Sequence, residues 1–451
     1  MLKHYTDIKH AAVSPIMPDI IDRTTLAPGP DKPVSLDINL ATQQTIEKLL
    51  AEYGDIVKVI NPKNNDLNYI ITNPDAVKHI LISNNGNYRK GPGFERVEML
   101  LGNGIIVSDG EFWRRQRTMI QPAFSRKNII QLCEMMVQVT QNLIPRWRQK
   151  AEIGEAIDIT TEMSEFSLEV ILRALLSEDF DQLITEHGNN PFDFLTGDTT
   201  RDLSVAMKFR QTAKLIQKII DSRREKNQLR EDLLGSMMAA TDKDGQTMSD
   251  KELIDEVKTM IIAGHETSGG TLNWLWHELS QNPNAESRAY QEATLLVADN
   301  TIATDQLADL PYIKQCINEA LRLYPPVWLF SRKAIQDDFS QGYAIPAGTN
   351  IYLSPYFTHR DAKLWAKPNK FYPEHFVNNA TELKHKQAFI PFSAGSRRCI
   401  GEYFSYIEMQ IHMAIMLKLF KLDTLPGQKI EIEPAINLRT KNSIMMQISL
   451  R

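Results

Sequence analysis

Apolar positions along the chain follow two rhythms. Near the start, Asp55 to Ile60 and Asn68 to Thr72 alternate apolar and polar residues around Asn61-Pro62-Lys63-Asn64-Asn65, which predicts a β-hairpin. Helical spacing then dominates. The spacing predicts a central helix that begins at Ser249-Asp250-Lys251-Glu252, where serine and glutamate have capping-box spacing, and runs until Asn282-Pro283 stops it. At a rise of about 1.5 Å per residue it would be about 50 Å long, enough to cross a whole domain. After Pro311 a second helix carries Glu319 and Arg322 and ends at Pro325-Pro326, and Val327 to Ile351 then reads as extended chain. Lys429 to Glu433 and Ile444 to Ser449 alternate as the strands of a closing hairpin would.

Composition narrows the class without naming a chemistry. The 451 residues, 42% of them hydrophobic, can bury a large core, and length alone would suggest two or three domains. A net charge of -5 gives no reason to expect nucleic acid. Three cysteines do not make a disulfide framework, which points to a reducing, cytoplasmic setting. Met1 to Pro33 is polar and punctuated by prolines, with neither a signal-peptide core nor the roughly 20 apolar residues of a membrane anchor. There is no internal repeat, no low-complexity linker and no G-x-G-x-x-G turn after a strand. A fused flavin or nicotinamide domain is therefore not expected, and electrons would come from separate proteins.

The densest chemistry lies in Phe392-Ser-Ala-Gly395-Ser-Arg397-Arg398-Cys399-Ile-Gly401. Arg397, Arg398 and a helix starting near Glu402 are expected to lower the cysteine pKa, and Gly395 and Gly401 to let the backbone turn and approach a flat ligand. Cys133 and Cys316, inside apolar helical patterns, read as ordinary buried cysteines. The stretch reads F-x-x-G-x-R-x-C-x-G and resembles the haem-binding signature of the cytochrome P450 superfamily of haem-thiolate monooxygenases. The resemblance, which spans nearly the whole chain, implies a mostly α fold with small β-sheets (α+β): a triangular helical domain with a β-rich lobe. It implies a single domain over 1–451, the lobe falling at about 30–90 plus 330–385, and haem b (iron protoporphyrin IX) between the long central helix and the helix after the cysteine. Cys399 would be the axial iron ligand, Phe392 would pack on the sulfur, and Arg397 would reach a haem propionate.

Ala263-Gly264-His265-Glu266-Thr267, with Gly269-Gly270 just beyond, sits in the middle of the central helix. Each helix-interior glycine costs about 1 kcal/mol relative to alanine, so the cluster needs a reason. Close approach of something flat is one reason, and a helix–helix contact that needs small residues is another. A threonine hydroxyl there can bond a carbonyl one turn back. The resemblance implies an oxygen-binding groove at Ala263, Gly264 and Thr267, with Thr267 hydrogen-bonding dioxygen, Glu266 relaying protons, and His265 facing away or lining the groove.

Glu319-Ala-Leu-Arg322 resembles the family's E-x-x-R, and its partner loop reads Phe371-Tyr372-Pro373-Glu374-His375-Phe376, with His375 where arginine is usual. The resemblance assigns Glu319, Arg322 and His375 to a structural network. Trp113-Arg-Arg-Gln-Arg117 resembles the family's W-x-x-x-R helix, which would bring Trp113 and Arg117 to a propionate, with Arg332 as a further propionate residue. His359-Arg360-Asp361 also resembles the family, with Ala362 where proline is common.

Substrate contacts would come from Phe94 to Val107, about Asp179 to Phe209, Met260 to Thr267, Val327 to Ser331 and Asn437 to Lys441. Phe94, Val327, Trp328, Phe330 and Leu438 are the expected pocket residues, although Trp328 equally suits ordinary core packing. Such walls suit a hydrophobic small molecule: a fatty acid, a terpenoid or a natural-product intermediate. The expected activity is a bacterial-type monooxygenase using dioxygen and fed by a separate ferredoxin or flavodoxin with its reductase. The alternatives are a peroxide-driven peroxygenase, a haem-thiolate isomerase and a non-catalytic haem sensor, and the Glu266 and Thr267 pair favours the first reading.

Overall fold

A computed structural model of the chain describes residues 25–37, 40–196, 203–377 and 385–451. Most of the polar N-terminus, the middle of the expected substrate segment near residue 200 and the end of the expected β lobe lie outside these. The central helix spans Asp250–Gln281, and Ser249 caps it through the Glu252 backbone while Glu252 reaches back to Ser249, the reciprocal box read from the sequence. It packs along the helix Ile159–Leu176, with Ile261, Leu272 and Leu275 fully buried. Each such side chain is worth about 1.5–3 kcal/mol of burial. The helix Glu402–Leu419, which follows the cysteine, is buried from Ile407 to Leu417 on every face, as befits a helix in the middle of a large core. Among the described residues no helix is long and apolar enough to cross a membrane.

The largest sheet sits apart from this helical core. Ile56–Ile60 and Leu67–Ile71 form the antiparallel hairpin that alternation predicted, with Ile56 opposite Ile71. Asn350–Leu353 joins it in parallel, Phe330–Ala334 follows, and Tyr88–Lys90 closes a five-stranded sheet. Its two faces bury separate clusters, one around Tyr69 and Ile351 and one around Val57, Val59, Ile70 and Trp328.

The expected closing hairpin is a different structure. Met445–Leu450 pairs with Phe420–Thr424 and with Ala156–Asp158, so both its edges are taken by strands distant in sequence. The tight hairpin near the C-terminus is instead Ile432–Pro434 with Leu438–Thr440. Alternation marked the strand at Ile444 to Ser449 but not the one at Lys429 to Glu433, where 429–431 lie outside any strand, and it carried no information on partners.

Candidate functional site

Cys399 is fixed by its own loop. Its amide donates to Phe392 O at 2.9 Å, and the Phe392 ring packs on Tyr406 at 5.3 Å between centroids. The Gly401 amide points at the sulfur. Gly395 has φ +71, and a Cβ there would lie 1.9 Å from Leu81 O. This glycine therefore admits a neighbouring backbone rather than a flat ligand. At Gly401 a Cβ would stand 3.9 Å from the Phe124 ring and 4.0 Å from the sulfur, so this position is the roomier one.

The electrostatics of the sulfur differ from the sequence expectation. Burial pushes the Cys399 thiol up to about 11, against the smaller help of the Gly401 amide, Arg117 and Arg398. Arg398 is bound to Glu402 and Arg397 to Asp109, so the two arginines expected to acidify the thiol are largely spent. The sulfur is nonetheless accessible, because it opens on a cavity of about 850 Å³ lined also by Arg117, Arg126, Lys314, Arg398 and Tyr403. A thiol this reluctant to ionise becomes a thiolate when a metal takes the proton's place.

In the central helix, residues 255–261 and 271–276 are buried, whereas Ile262, Ala263, Gly264, Glu266, Thr267 and Gly270 keep accessible surface. Of these, Ala263, Glu266, Thr267 and Gly270, spaced i, i+3, i+4, i+7, make one stripe. Thr267 Oγ1 donates to Ala263 O at 2.6 Å, the back-bond expected. Burial raises the Glu266 pKa, opposed by an amide hydrogen bond from Asn437 and by Arg439. His265 turns to the neighbouring helix, 2.8 Å from Ser164 Oγ, and burial lowers its pKa to about 4. The glycines divide between the two explanations. A Cβ on Gly264 would meet Ile171 at 2.8 Å and one on Gly269 would meet Met163 O at 2.9 Å, so both serve helix packing, while Gly264 also keeps accessible surface beside Ala263. Gly270 has nothing within 4 Å and faces open space.

A second cluster gathers cations. Arg397 donates to Ser108 O at 3.1 Å, pairs with Asp109, and lies 4.1 Å over the Trp113 ring. Arg332 is buried over Phe330, and burial followed by Arg397 lowers its pKa to about 10. Lys90, absent from the sequence reading, lies 4.2 Å over the Phe94 ring, and burial, Arg332 and Arg397 together push its pKa well down. Its amide also donates to Asp109 Oδ2 at 2.7 Å. Lys90 Nζ also donates to Ile106 O, and three cations, one buried and two half-buried, around one carboxylate leave unneutralised positive charge, which fits a ligand with anionic arms. Arg117, expected with Trp113, is elsewhere: it reaches Gln121 at 3.4 Å and borders the sulfur cavity.

Glu319 and Arg322 are fully buried and paired twice, at 2.7 and 2.8 Å. Arg322 also donates to the carbonyls of His359, Pro368 and Lys370. His375 Nδ1 stands 3.3 Å from both Glu319 oxygens, so the histidine occupies the third corner. Of the expected pocket residues, Val327 is exposed and Phe94 and Phe330 half-buried. Trp328 and Leu438 are corrected to core: both are buried in one cluster, and Trp328 Nε1 donates to Ala435 O at 2.9 Å.

The chain matches the cytochrome P450 family over residues 35–447. It is 29% identical to cyclooctatin synthase of Streptomyces melanosporofaciens, with 92% of this chain and 94% of that protein covered. It is 28% identical to pentalenene oxygenase of Streptomyces avermitilis, with 84% and 86% covered. A crystal structure of a cytochrome P450 superposes with a TM-score of 0.82 over 95% of this chain and all of the other, at 24% identity, which speaks to the fold alone.

Proposed function

The chain belongs to the cytochrome P450 family, and from that premise we propose that it is a haem-thiolate monooxygenase acting on a hydrophobic terpenoid. The residues present suit the cofactor, taken as haem b. Cys399 would be the axial ligand, and Lys90, Arg332, Arg397 and the Trp113 N–H would hold the two propionates. Haem, when bound, supplies the iron at which dioxygen is reduced and cleaved. Two electrons and two protons accompany each dioxygen, with one oxygen atom entering a C–H or C=C bond and the other leaving as water.

The protein's own part is to deliver protons and exclude bulk water. Thr267 spends its hydroxyl proton on Ala263 O and so offers lone pairs on the accessible stripe of the helix as an acceptor and relay. Glu266, kept towards its neutral form by burial, carries a proton one residue away. The observation that carries the monooxygenase reading is that this acid and alcohol keep accessible surface between the buried stretches 255–261 and 271–276 of the helix. On the sulfur side, Arg117, Arg126 and Lys314, beside the Arg398–Glu402 pair, give the cavity a net basic rim suited to an acidic ferredoxin or flavodoxin.

Terpenoids are favoured by the named relatives, cyclooctatin synthase and pentalenene oxygenase. The test is a low-to-high spin titration of the haem-loaded protein with sesquiterpene hydrocarbons, polycyclic terpene alcohols and fatty acids, followed by turnover under labelled dioxygen. The reading expects a terpenoid to shift the spectrum and its product to carry one labelled oxygen. Fatty acids alone shifting the spectrum would overturn the substrate class, and an unlabelled product would overturn the monooxygenase.

A further inference from the structure

One contact of Glu266 comes from far along the chain. Asn437 Nδ2 donates to Glu266 Oε2 from the tip between the strands Ile432–Pro434 and Leu438–Thr440. That tip is held on both sides. Leu438 N donates to Pro326 O at 2.8 Å, Ala435 O accepts from the buried Trp328 indole at 2.9 Å, and Ala435 N reaches Glu433 O and Asn437 O at 3.1 and 3.2 Å. The amide of Asn437 is thus presented by a backbone with little freedom to drift.

A carboxyl oxygen that already accepts an amide N–H is the poorer place for an acid proton, which would point at the incoming donor. With Oε2 taken, the proton of neutral Glu266 belongs on Oε1, and Oε1 has no hydrogen-bond partner among the described residues. The charged group that faces this carboxyl is Arg439, itself 2.6 Å from Glu433, while His265 on the same helix turns to Ser164.

We propose that Asn437 is a positioning residue for Glu266: by occupying Oε2 it assigns the transferable proton to Oε1, so that a hairpin about 170 residues away in sequence aims proton delivery. This rests on the reading of Glu266 as a relay. An amide donor favours the ionised carboxyl, so deleting it moves the titration of Glu266 to higher pH.

The experiment uses the haem-loaded chain. Infrared difference spectra between the wild type and Glu266→Gln isolate the C=O stretch of protonated Glu266, and titrating that band reads its proton directly. Asn437→Leu is expected to raise the midpoint by about one pH unit and to shift the band to higher frequency, because the carbonyl oxygen has lost its donor. With NADPH, a surrogate ferredoxin and its reductase, peroxide released per NADPH is expected to rise about threefold, with the carbon monoxide spectrum unchanged. Asn437→Ser, which keeps a donor, should return all three towards wild type. If Asn437→Leu does not take up haem, Asn437→Ala is read in its place. A midpoint and frequency that do not move on losing the amide would overturn the proposal. A Glu266→Gln variant whose peroxide yield matches the wild type would instead overturn the relay reading, and that failure is seen without touching residue 437.

Discussion

Within the sulfur-bearing loop, ten consecutive residues supply almost everything: the Phe392 carbonyl that fixes the Cys399 amide, the tight turn at Gly395, and the Gly401 amide at the sulfur. The cation cradle draws on four separate segments, contributing Lys90, Asp109, Arg332 and Arg397. Arg397 belongs to both. A local device tolerates change elsewhere and fails when its own backbone is disturbed. A device built from distant segments has no local signature, and its like charges repel one another, which a ligand with anionic arms relieves.

Gly395→Ala strikes the local device hardest. A left-handed backbone and a Cβ driven into the Leu81 carbonyl should together cost on the order of 3 kcal/mol. Gly401→Ala, with an ordinary φ and nearest atoms at 3.9 Å, should cost under about 1 kcal/mol. Thermal melts of the two haem-loaded variants check the contrast, and equal losses would break it.

Lys90→Met probes the dispersed device, and its effect should change sign with loading. Losing one charge-assisted contact of about 1.5–3 kcal/mol should speed haem transfer to apomyoglobin by about 10- to 100-fold. The haem-free chain should become more stable, since a half-buried like charge beside Arg332 and Arg397 is gone. A fall in both states would show that Lys90 packs rather than binds.

Thr267→Ala should leave both devices intact while raising peroxide released per NADPH about tenfold. Unchanged coupling would remove the hydroxyl from the relay.

The effect that appears only as a pH slope concerns Glu408, buried in the helix that leaves the sulfur loop. Ser167 and Ser268 lie beside it without completing hydrogen bonds, and burial raises its pKa to about 8. The folded state therefore holds a proton that the unfolded chain releases above the ordinary carboxylate range. The stabilisation from this group is complete below about pH 4.5 and is lost as pH rises through about 8, at no more than about 1.4 kcal/mol per pH unit. Glu408→Gln should flatten the decline in melting temperature over that window, and an unaltered slope would show that Glu408 is ionised.

Legibility followed the same division. The hairpin at 56–71, the capping box at Ser249 and the cysteine loop were readable because each is written within a few residues. The back-bond of Thr267 and the burial of Glu319 with Arg322 were readable once the resemblance ruled out a surface pair. Lys90 was not, since a lysine ending a three-residue strand carries no local sign that two arginines from later segments surround it. Trp328 and Val327 are neighbours with opposite fates, one buried under a hairpin and one exposed, and apolar character alone could not separate them. The thiol was misjudged for a related reason: Arg397 and Arg398 are adjacent to it in sequence, but each is bound to a carboxylate.

The most direct test of the central claim is the spectrum of the reduced, haem-loaded protein under carbon monoxide, taken for the wild type and for Cys399→Ala. Sulfur ligation by Cys399 predicts the red-shifted Soret band of a thiolate-bound haem in the wild type and its loss in the variant. A band typical of histidine ligation in the wild type, or a red-shifted band that persists in Cys399→Ala, would contradict it.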